Sequence, residues 1–308
     1  MGTPDFAVNS LDAIVQAGYN VAAVVTIPDR QTGRGLKLTF SPVKEYAIRH
    51  GLPLLQPEKL RDESFLDSLR ALQADIFVVV AFRMLPQVVW DMPPMGTFNL
   101  HASLLPQYRG AAPINWALIN GERETGVTTF MLNENIDEGA ILMQRATNIS
   151  DNDNAGTLHD RLADIGSQLV VQTLDGLFSH ILSPRSQHNP GKLQHAPKIF
   201  KQDCTVNWNG TGRDICNFIR GLSPYPAATT TMIDSKGSEI SMKIFEATFQ
   251  KADNTITGTI FSDQKKELKI GVKDGFVSIL SLQISGKKKI TIEEFLRGYN
   301  VTYWKIKY

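Results

Sequence analysis

Residues 76–82 read Ile-Phe-Val-Val-Val-Ala-Phe, apolar throughout and without polar alternation. A strand with one wet face alternates polar and apolar side chains, whereas a strand covered on both faces does not. Seven residues is strand length rather than helix length. Residues 21–27, Val-Ala-Ala-Val-Val-Thr-Ile, repeat the signal, and shorter strand readings fall at Leu54 and Leu55, at 97–101, at 127–132 and at 141–149. Helices separate them. Leu11, Ile14 and Val15 share one face of a predicted helix over 9–17, with Gly18 as its stop. Pro42 opens another through Tyr46 and Ile48, Phe65, Leu66 and Leu69 mark a third, and further helices are predicted over 113–119 and 158–177. Strands alternating with helices predict an α/β fold, a doubly wound sheet covered on both faces.

The pattern changes near Ser183. Residues 183–197 are rich in Pro, Ser, His and Gln and carry little periodicity, as a linker does. Turn-punctuated strands then follow at 227–233, 240–249, 255–261, 268–272 and 277–284, which fit a small β-barrel. The expected division is a first domain over 1–182, a linker over 183–200 and a second domain over 201–308.

A chain of 308 residues, 42% of them hydrophobic, can bury two cores. Its net charge of +1 hides an asymmetry: residues 201–308 carry +5 and residues 1–200 carry −4. A basic second domain suits a polyanionic partner, although ordinary scatter of charge gives the same count. Cys204 and Cys216 have neither metal-ligand spacing nor a disulfide framework, in keeping with a reducing compartment. No apolar run reaches the roughly 20 residues a bilayer requires, and no basic-then-apolar signal segment opens the chain. A soluble, cytoplasmic protein is expected, with no membrane and no metal.

The densest chemistry lies in residues 98–113, Phe-Asn-Leu-His-Ala-Ser-Leu-Leu-Pro-Gln-Tyr-Arg-Gly-Ala-Ala-Pro. Asn99 and His101 are two apart on a strand and so share a face. At a strand's carboxyl end they stand where open α/β sheets bind ligands. An amide donor beside an imidazole suits an oxyanion and a mobile proton; a capping Asn beside a surface His is the plainer alternative. Asp137, before Gly139, reads either as a turn residue or as a carboxylate orienting His101. Arg109 suits a carboxylate or phosphate, or simply solvent. Residues 29–44 form an expected long loop with Arg30, Arg34, Lys37 and Lys44 against one acid, suited to a phosphate backbone or to water alone. Lys287, Lys288 and Lys289 are a second basic run of the same kind. Gly2-Thr3-Pro4 is a turn into a helix and not Gly-x-Gly-x-x-Gly, and no Gly-x-x-x-x-Gly-Lys-Ser/Thr run exists, so nothing supports NAD or ATP.

Together these segments resemble the methionyl-tRNA formyltransferases, from Gly2 to about Gly298. The anchors are Gly-Thr-Pro-Asp-Phe-Ala at Gly2, Pro-Asp-Arg-x-x-Gly-Arg-Gly at Pro28, Ser-Pro-Val-Lys at Ser41 and Asn-x-His-x-Ser-Leu-Leu-Pro at Asn99. They continue with Arg-Gly-Ala-Ala-Pro-Ile at Arg109, Glu-Thr-Gly-Val-Thr at Glu124, Asp-x-Gly at Asp137 and Leu-Gln-x-x-Gly-Lys-Lys at Leu282. The Asn-x-His…Asp set is common to folate formyltransferases of this fold; the first loop and the second domain select the tRNA enzymes.

The resemblance implies a Rossmann-like formyltransferase domain followed by an OB-like barrel that contacts tRNA. It implies formyl transfer from 10-formyltetrahydrofolate to the α-amine of initiator methionyl-tRNA, by a monomer without metal. By position, Asn99, His101 and Asp137 match the catalytic residues, and Pro106, Gln107, Tyr108 and Arg109 match the folate-binding stretch. Arg30, Arg34 and Lys37 match the loop that wedges against the acceptor stem, and Lys287, Lys288 and Lys289 are further expected tRNA contacts. The resemblance also implies an apolar first strand ahead of Gly-Thr-Pro; the sequence opens at Met1, so an upstream start or a truncated product is expected. Two other readings are a formyltransferase or formyl-folate hydrolase acting on a small molecule, and a tRNA-binding protein without catalysis. The basic loop and second domain speak against the first, and the intact Asn99, His101 and Asp137 set against the second.

Overall fold

The computed structural model describes residues 1–32, 37–188 and 191–307. In chain order the elements begin with α1 (Asp5–Gln16), β1 (Val24–Val25), β2 (Arg30–Thr32), β3 (Lys37–Thr39), α2 (Pro42–Arg49), β4 (Leu54–Leu55), α3 (Glu63–Ala71) and β5 (Phe77–Val80). Next come α4 (Gln87–Trp90), β6 (Thr97–His101), β7 (Arg109–Gly110), α5 (Pro113–Ile119), β8 (Glu124–Met131), β9 (Ile141–Asn148), α6 (Ala155–Phe178) and β10 (His195–Ala196). The last are α7 (Gly212–Leu222), β11 (Ala228–Ile233), β12 (Glu239–Lys251), β13 (Ile260–Ser262), β14 (Leu268–Val272), β15 (Gly275–Ile284), β16 (Ile290–Thr291), α8 (Ile292–Gly298) and β17 (Lys305–Ile306). They fall into two compact units. The first is Met1–Gly110, Glu124–Thr147 and His159–His195; the second is Ala111–Arg123, Asn148–Leu158 and Ala196–Tyr308.

The first unit is a Rossmann-like α/β layer. β5 and β6 pair in parallel, Phe77 opposite Thr97 and Val80 opposite Leu100. β6 then pairs antiparallel with β8, Asn99 opposite Phe130 and His101 opposite Thr128, and β9 lies outside β8. β1 and β4 form a separate parallel pair. Gly2 links the two parts: its N–H donates to Val25 O at 3.0 Å and it forms a parallel bridge with Val80. A Cβ there would lie 2.5 Å from the Ala7 Cβ and 2.8 Å from Val80 O, so the Gly-Thr-Pro turn needs its glycine. Phe65, Leu66 and Leu69 of α3 pack against Val25, Phe77 and Val79 as their spacing requires.

Two expectations change here. The strand predicted over 21–27 shortens to Val24–Val25, the two residues paired with Leu54 and Leu55; residues 21–25 line a cavity of about 440 Å³ shared with Asp75, Ile76, Phe77 and Val78. The expected loop over 29–44 instead contains an antiparallel hairpin, Arg30 opposite Thr39 and Thr32 opposite Lys37. Its base is pinned by the Lys44 Nζ–Asp29 Oδ2 ion pair at 2.5 Å and by Gln56 Nε2, which donates to Asp29 Oδ1 at 2.9 Å and Ile27 O at 2.8 Å.

The second unit is a barrel-like sheet in the order β13-β14-β15-β12-β11-β17, with β16 paired to β15. β12 runs 13 residues and bends at an irregularity between Ile244 and Ala247, as a bulge allows. Its core includes Trp208, Met232, Ile244, Leu282 and Phe295. Two helices absent from the sequence reading complete it. In α7 the Thr211 side chain caps by accepting from the Asp214 N–H, and Ile215, Ile219 and Leu222 are buried. In α8, Thr291 and Glu294 form a reciprocal cap. α5 packs in this unit too, with Asn115 Nδ2 donating to Gly221 O at 2.7 Å.

Candidate active site

β6 delivers His101 to the carboxyl end of its sheet, where the side chain is buried. Asn99 lies two residues back on the same strand face. Among the described residues no hydrogen bond uses the Asn99 side chain. After His101 the chain turns back on itself, and one fully buried hydroxyl organises that turn. Thr128 Oγ1 donates to Ser103 O at 2.6 Å and accepts from Leu105 N at 3.1 Å and Gln144 Nε2 at 3.0 Å. Gln144 Nε2 also donates to Leu105 O at 2.9 Å, and Ser103 Oγ donates to Gln107 O at 2.6 Å.

The turn ends on Tyr108, whose φ of 60° lies in the left-handed region that L side chains avoid. Its N–H donates to Gln194 O at 2.7 Å, and its carbonyl oxygen lies 2.8 Å from His101 Nε2. A carbonyl only accepts, so Nε2 carries the hydrogen. His101 Nδ1 then faces Asp137 Oδ2 at 3.7 Å. That separation exceeds a hydrogen bond. The contact that orients the imidazole is therefore made by Tyr108, where the sequence pointed to Asp137.

Asp137 is also held by the backbone. Its Oδ2 accepts from Gly110 N at 2.8 Å, and its φ is 56°, a region Asp enters more readily than most residues. Gly139 closes the Asp-x-Gly turn against β8: a Cβ there would lie 1.6 Å from Met131 O. Arg109 Nη1 pairs with Glu138 Oε1 at 2.6 Å, while its Nε and Nη2 donate to Gln187 Oε1 at 3.2 and 2.7 Å. Strained backbone held by such bonds is a mark of functional sites.

The structure thus brings His101, Asp137, Tyr108 and Arg109 together. In the stretch Pro106–Arg109 the side chains of Gln107 and Arg109 are engaged within the protein, Gln107 with Gln194 N at 2.8 Å and Lys192 O at 3.3 Å. Sequence reasoning missed Ser103, Thr128, Gln144 and Gln187, polar residues whose value lies in their partners alone. Of the basic loop, Arg30 is exposed at the start of β2, Lys37 opens β3, and Arg34 lies outside the described residues. Hydrogen bonds from Lys44 and then Gln56 hold the Asp29 carboxyl below its ordinary range. Arg83, also missed, donates to Glu58 O at 2.8 Å and Pro57 O at 2.5 Å. Burial, and then the nearby Arg30 charge, lower its pKa. In the second unit Lys287 Nζ donates to Tyr299 OH at 2.6 Å and Lys289 pairs with Glu246 at 3.1 Å, whereas Lys288 is exposed. Among the described residues no group of three His, Cys, Asp or Glu is placed to hold a metal ion, and no helix is long and apolar enough to cross a membrane.

Comparison with known proteins places the chain in a family. Residues 1–174 match the family described as formyl transferase, and residues 198–300 the family described as formyl transferase, C-terminal domain. The methionyl-tRNA formyltransferase of Bacteroides thetaiotaomicron is 52% identical over 306 residues, covering 98% of this chain and 95% of the relative. That of Flavobacterium johnsoniae is 50% identical over 299 residues, covering 97% and 94%. An N-formyltransferase from Helicobacter canadensis, solved with folinic acid and dTDP-3-aminofucose, shares the fold at a TM-score of 0.66 and 22% identity, covering 94% of this chain and 97% of that one. Fold and site together define a formyl transferase. The chain belongs to the methionyl-tRNA formyltransferase family.

Proposed function

We propose that this enzyme transfers the formyl group of 10-formyltetrahydrofolate to the α-amine of methionine on initiator methionyl-tRNA, giving N-formylmethionyl-tRNA for translation initiation. The observation that carries the reading is the set at the end of β6. His101 Nδ1 and Asp137 Oδ2 stand 3.7 Å apart, with the unbonded Asn99 amide on the same strand as His101. The donor set fits a folate-borne formyl group: an uncommitted amide and an imidazole nitrogen to meet an oxygen, and a carboxylate to receive a proton.

When bound, the folate supplies the formyl carbon and accepts a proton as it departs. The chain's residues do the rest. Asn99 donates to the formyl oxygen as that oxygen gains charge, and losing one such donor raises a barrier by about 2.7–4 kcal/mol. His101 acts through Nδ1, since Nε2 is committed to Tyr108; with a proton taken up from water at Nδ1, it donates to the same oxygen. Asp137 Oδ2 accepts the amine's proton, directly or through a water, and its bond from the Gly110 N–H keeps the carboxylate aimed.

We assign catalysis to residues 1–182, a connection to 183–200 and tRNA contact to the OB-like residues 201–308, with Arg30, Arg34, Lys37, Lys287, Lys288 and Lys289 meeting the phosphate backbone. Pro106, Gln107, Tyr108 and Arg109 form the folate-facing turn, and the protein works as a cytoplasmic monomer. The test incubates labelled formyl-folate with charged initiator tRNA, uncharged initiator tRNA, a nucleotide-linked amino sugar, and water alone. Label moving only to charged tRNA supports the reading; label moving to the sugar amine or to formate overturns it.

A further inference from the structure

We infer that Gln187 is a positioning residue that locks Arg109 and the Asp137 turn into one unit. Gln187 lies in the stretch between α6 and β10, outside any helix or strand, and is half-buried. Its Nε2 donates to Asp137 O and to Gly139 O, both at 2.8 Å. Its Oε1 accepts from Arg109 Nε at 3.2 Å and Nη2 at 2.7 Å. A primary amide has two hydrogens to give and two lone pairs to fill. All four are spent here, and every partner belongs to Arg109 or to the turn that carries Asp137. A solvated linker glutamine has no reason to be saturated in this way.

The inference rests on the proposed role of Asp137. That residue sits at a φ of 56°, and the carbonyls of residues 137 and 139 are the ones Gln187 holds. Without that clasp the turn keeps the Gly110 N–H bond and the Arg109–Glu138 pair but loses both bonds to its carbonyls, and Asp137 Oδ2 is held less firmly opposite His101 Nδ1. The segment itself does not depend on the side chain. Arg185 and Ile141 exchange two backbone hydrogen bonds, at 2.7 and 2.8 Å, which anchor the stretch to β9. Removing the Gln187 amide should therefore perturb the turn and leave the fold in place.

The test compares wild type, Gln187→Met, Gln187→Glu and Asp137→Asn by steady-state formylation of charged initiator tRNA, with a melting curve for each. Gln187→Met removes all four bonds: kcat falls about 10- to 100-fold, as a small misplacement of a reacting group costs, and KM for 10-formyltetrahydrofolate rises as Arg109 loosens. Gln187→Glu still accepts from Arg109 but has no N–H for the two carbonyls. Its kcat falls at least as far while its folate KM stays near wild type. A merely structural role does not produce that split. A Gln187→Met enzyme within twofold of wild-type kcat, beside an inactive Asp137→Asn, overturns this inference alone. So do equal losses in both parameters for both variants, accompanied by a lower melting temperature. An active Asp137→Asn overturns the proposed role of Asp137 and the inference with it.

Discussion

The Nε2 of His101 donates to the carbonyl oxygen of Tyr108 at 2.8 Å, which leaves Nδ1 as the nitrogen facing Asp137. The tautomer is set by backbone, and so survives side-chain changes in the Asp137 turn. Nitrogen-15 NMR of the resting enzyme should find the neutral His101 ring protonated at Nε2, in wild type and in Asp137→Asn alike. A ring protonated at Nδ1 contradicts the orientation described.

Thr128 should matter to both stability and rate. Its hydroxyl is buried and makes three hydrogen bonds, to Ser103 O, Leu105 N and Gln144 Nε2. Thr128→Val keeps the shape and leaves those partners unpaired, at a cost of about 2–3 kcal/mol. The Tyr108 carbonyl then shifts, and kcat falls about tenfold. Urea unfolding and single-turnover formylation measure the two effects. A stable variant with normal rate shows that the turn holds without its hydroxyl.

Gly139→Ala places a methyl 1.6 Å from Met131 O, a backbone atom that cannot swing away. Either the strand or the Asp137 turn must move. We expect a loss of about 3 kcal/mol or more, and a turnover that falls further than in Thr128→Val because Asp137 itself is displaced. Wild-type thermal stability in this variant contradicts the packing described.

Asp263 gives the second unit an acid-sensitive turn. Its Oδ1 accepts the N–H groups of Lys265, Lys266 and Glu267 at 2.9, 2.8 and 2.9 Å. Led by the bond from Glu267, these lower its pKa from 3.8 to about 2. Between those values the unfolded chain binds the proton that the folded chain refuses, so stability rises with pH there. The contribution is whole above about pH 4 and is lost as pH falls toward 2. The melting-temperature gap between wild type and Asp263→Asn should be widest at neutral pH and close on acidification. A gap unchanged from pH 7 to pH 2 contradicts this.

Much of this was legible in the sequence because its signals are local. Apolar residues 77–80, the first strand in the order of the four-stranded sheet, announce a strand covered on both faces, and Asn99 and His101 announce a shared face by spacing alone. What stayed hidden depends on partners. The seven-residue run at 21–27 could not reveal that it flanks a cavity, and so reads longer than β1. α7 carried a Thr-x-x-Asp cap and three apolar residues on one face, yet Gly212 and Gly221 masked its helical pattern. Gln187 looked like linker, and Tyr108 acts through a carbonyl that every residue possesses.

The most direct test is single-turnover formylation of charged initiator tRNA by Asp137→Asn and His101→Ala, with circular dichroism to confirm the fold. Both should keep a wild-type spectrum and lose at least about 100-fold in rate, the scale of a missing acid–base group. Near-normal rates in folded variants contradict the assignment of this site.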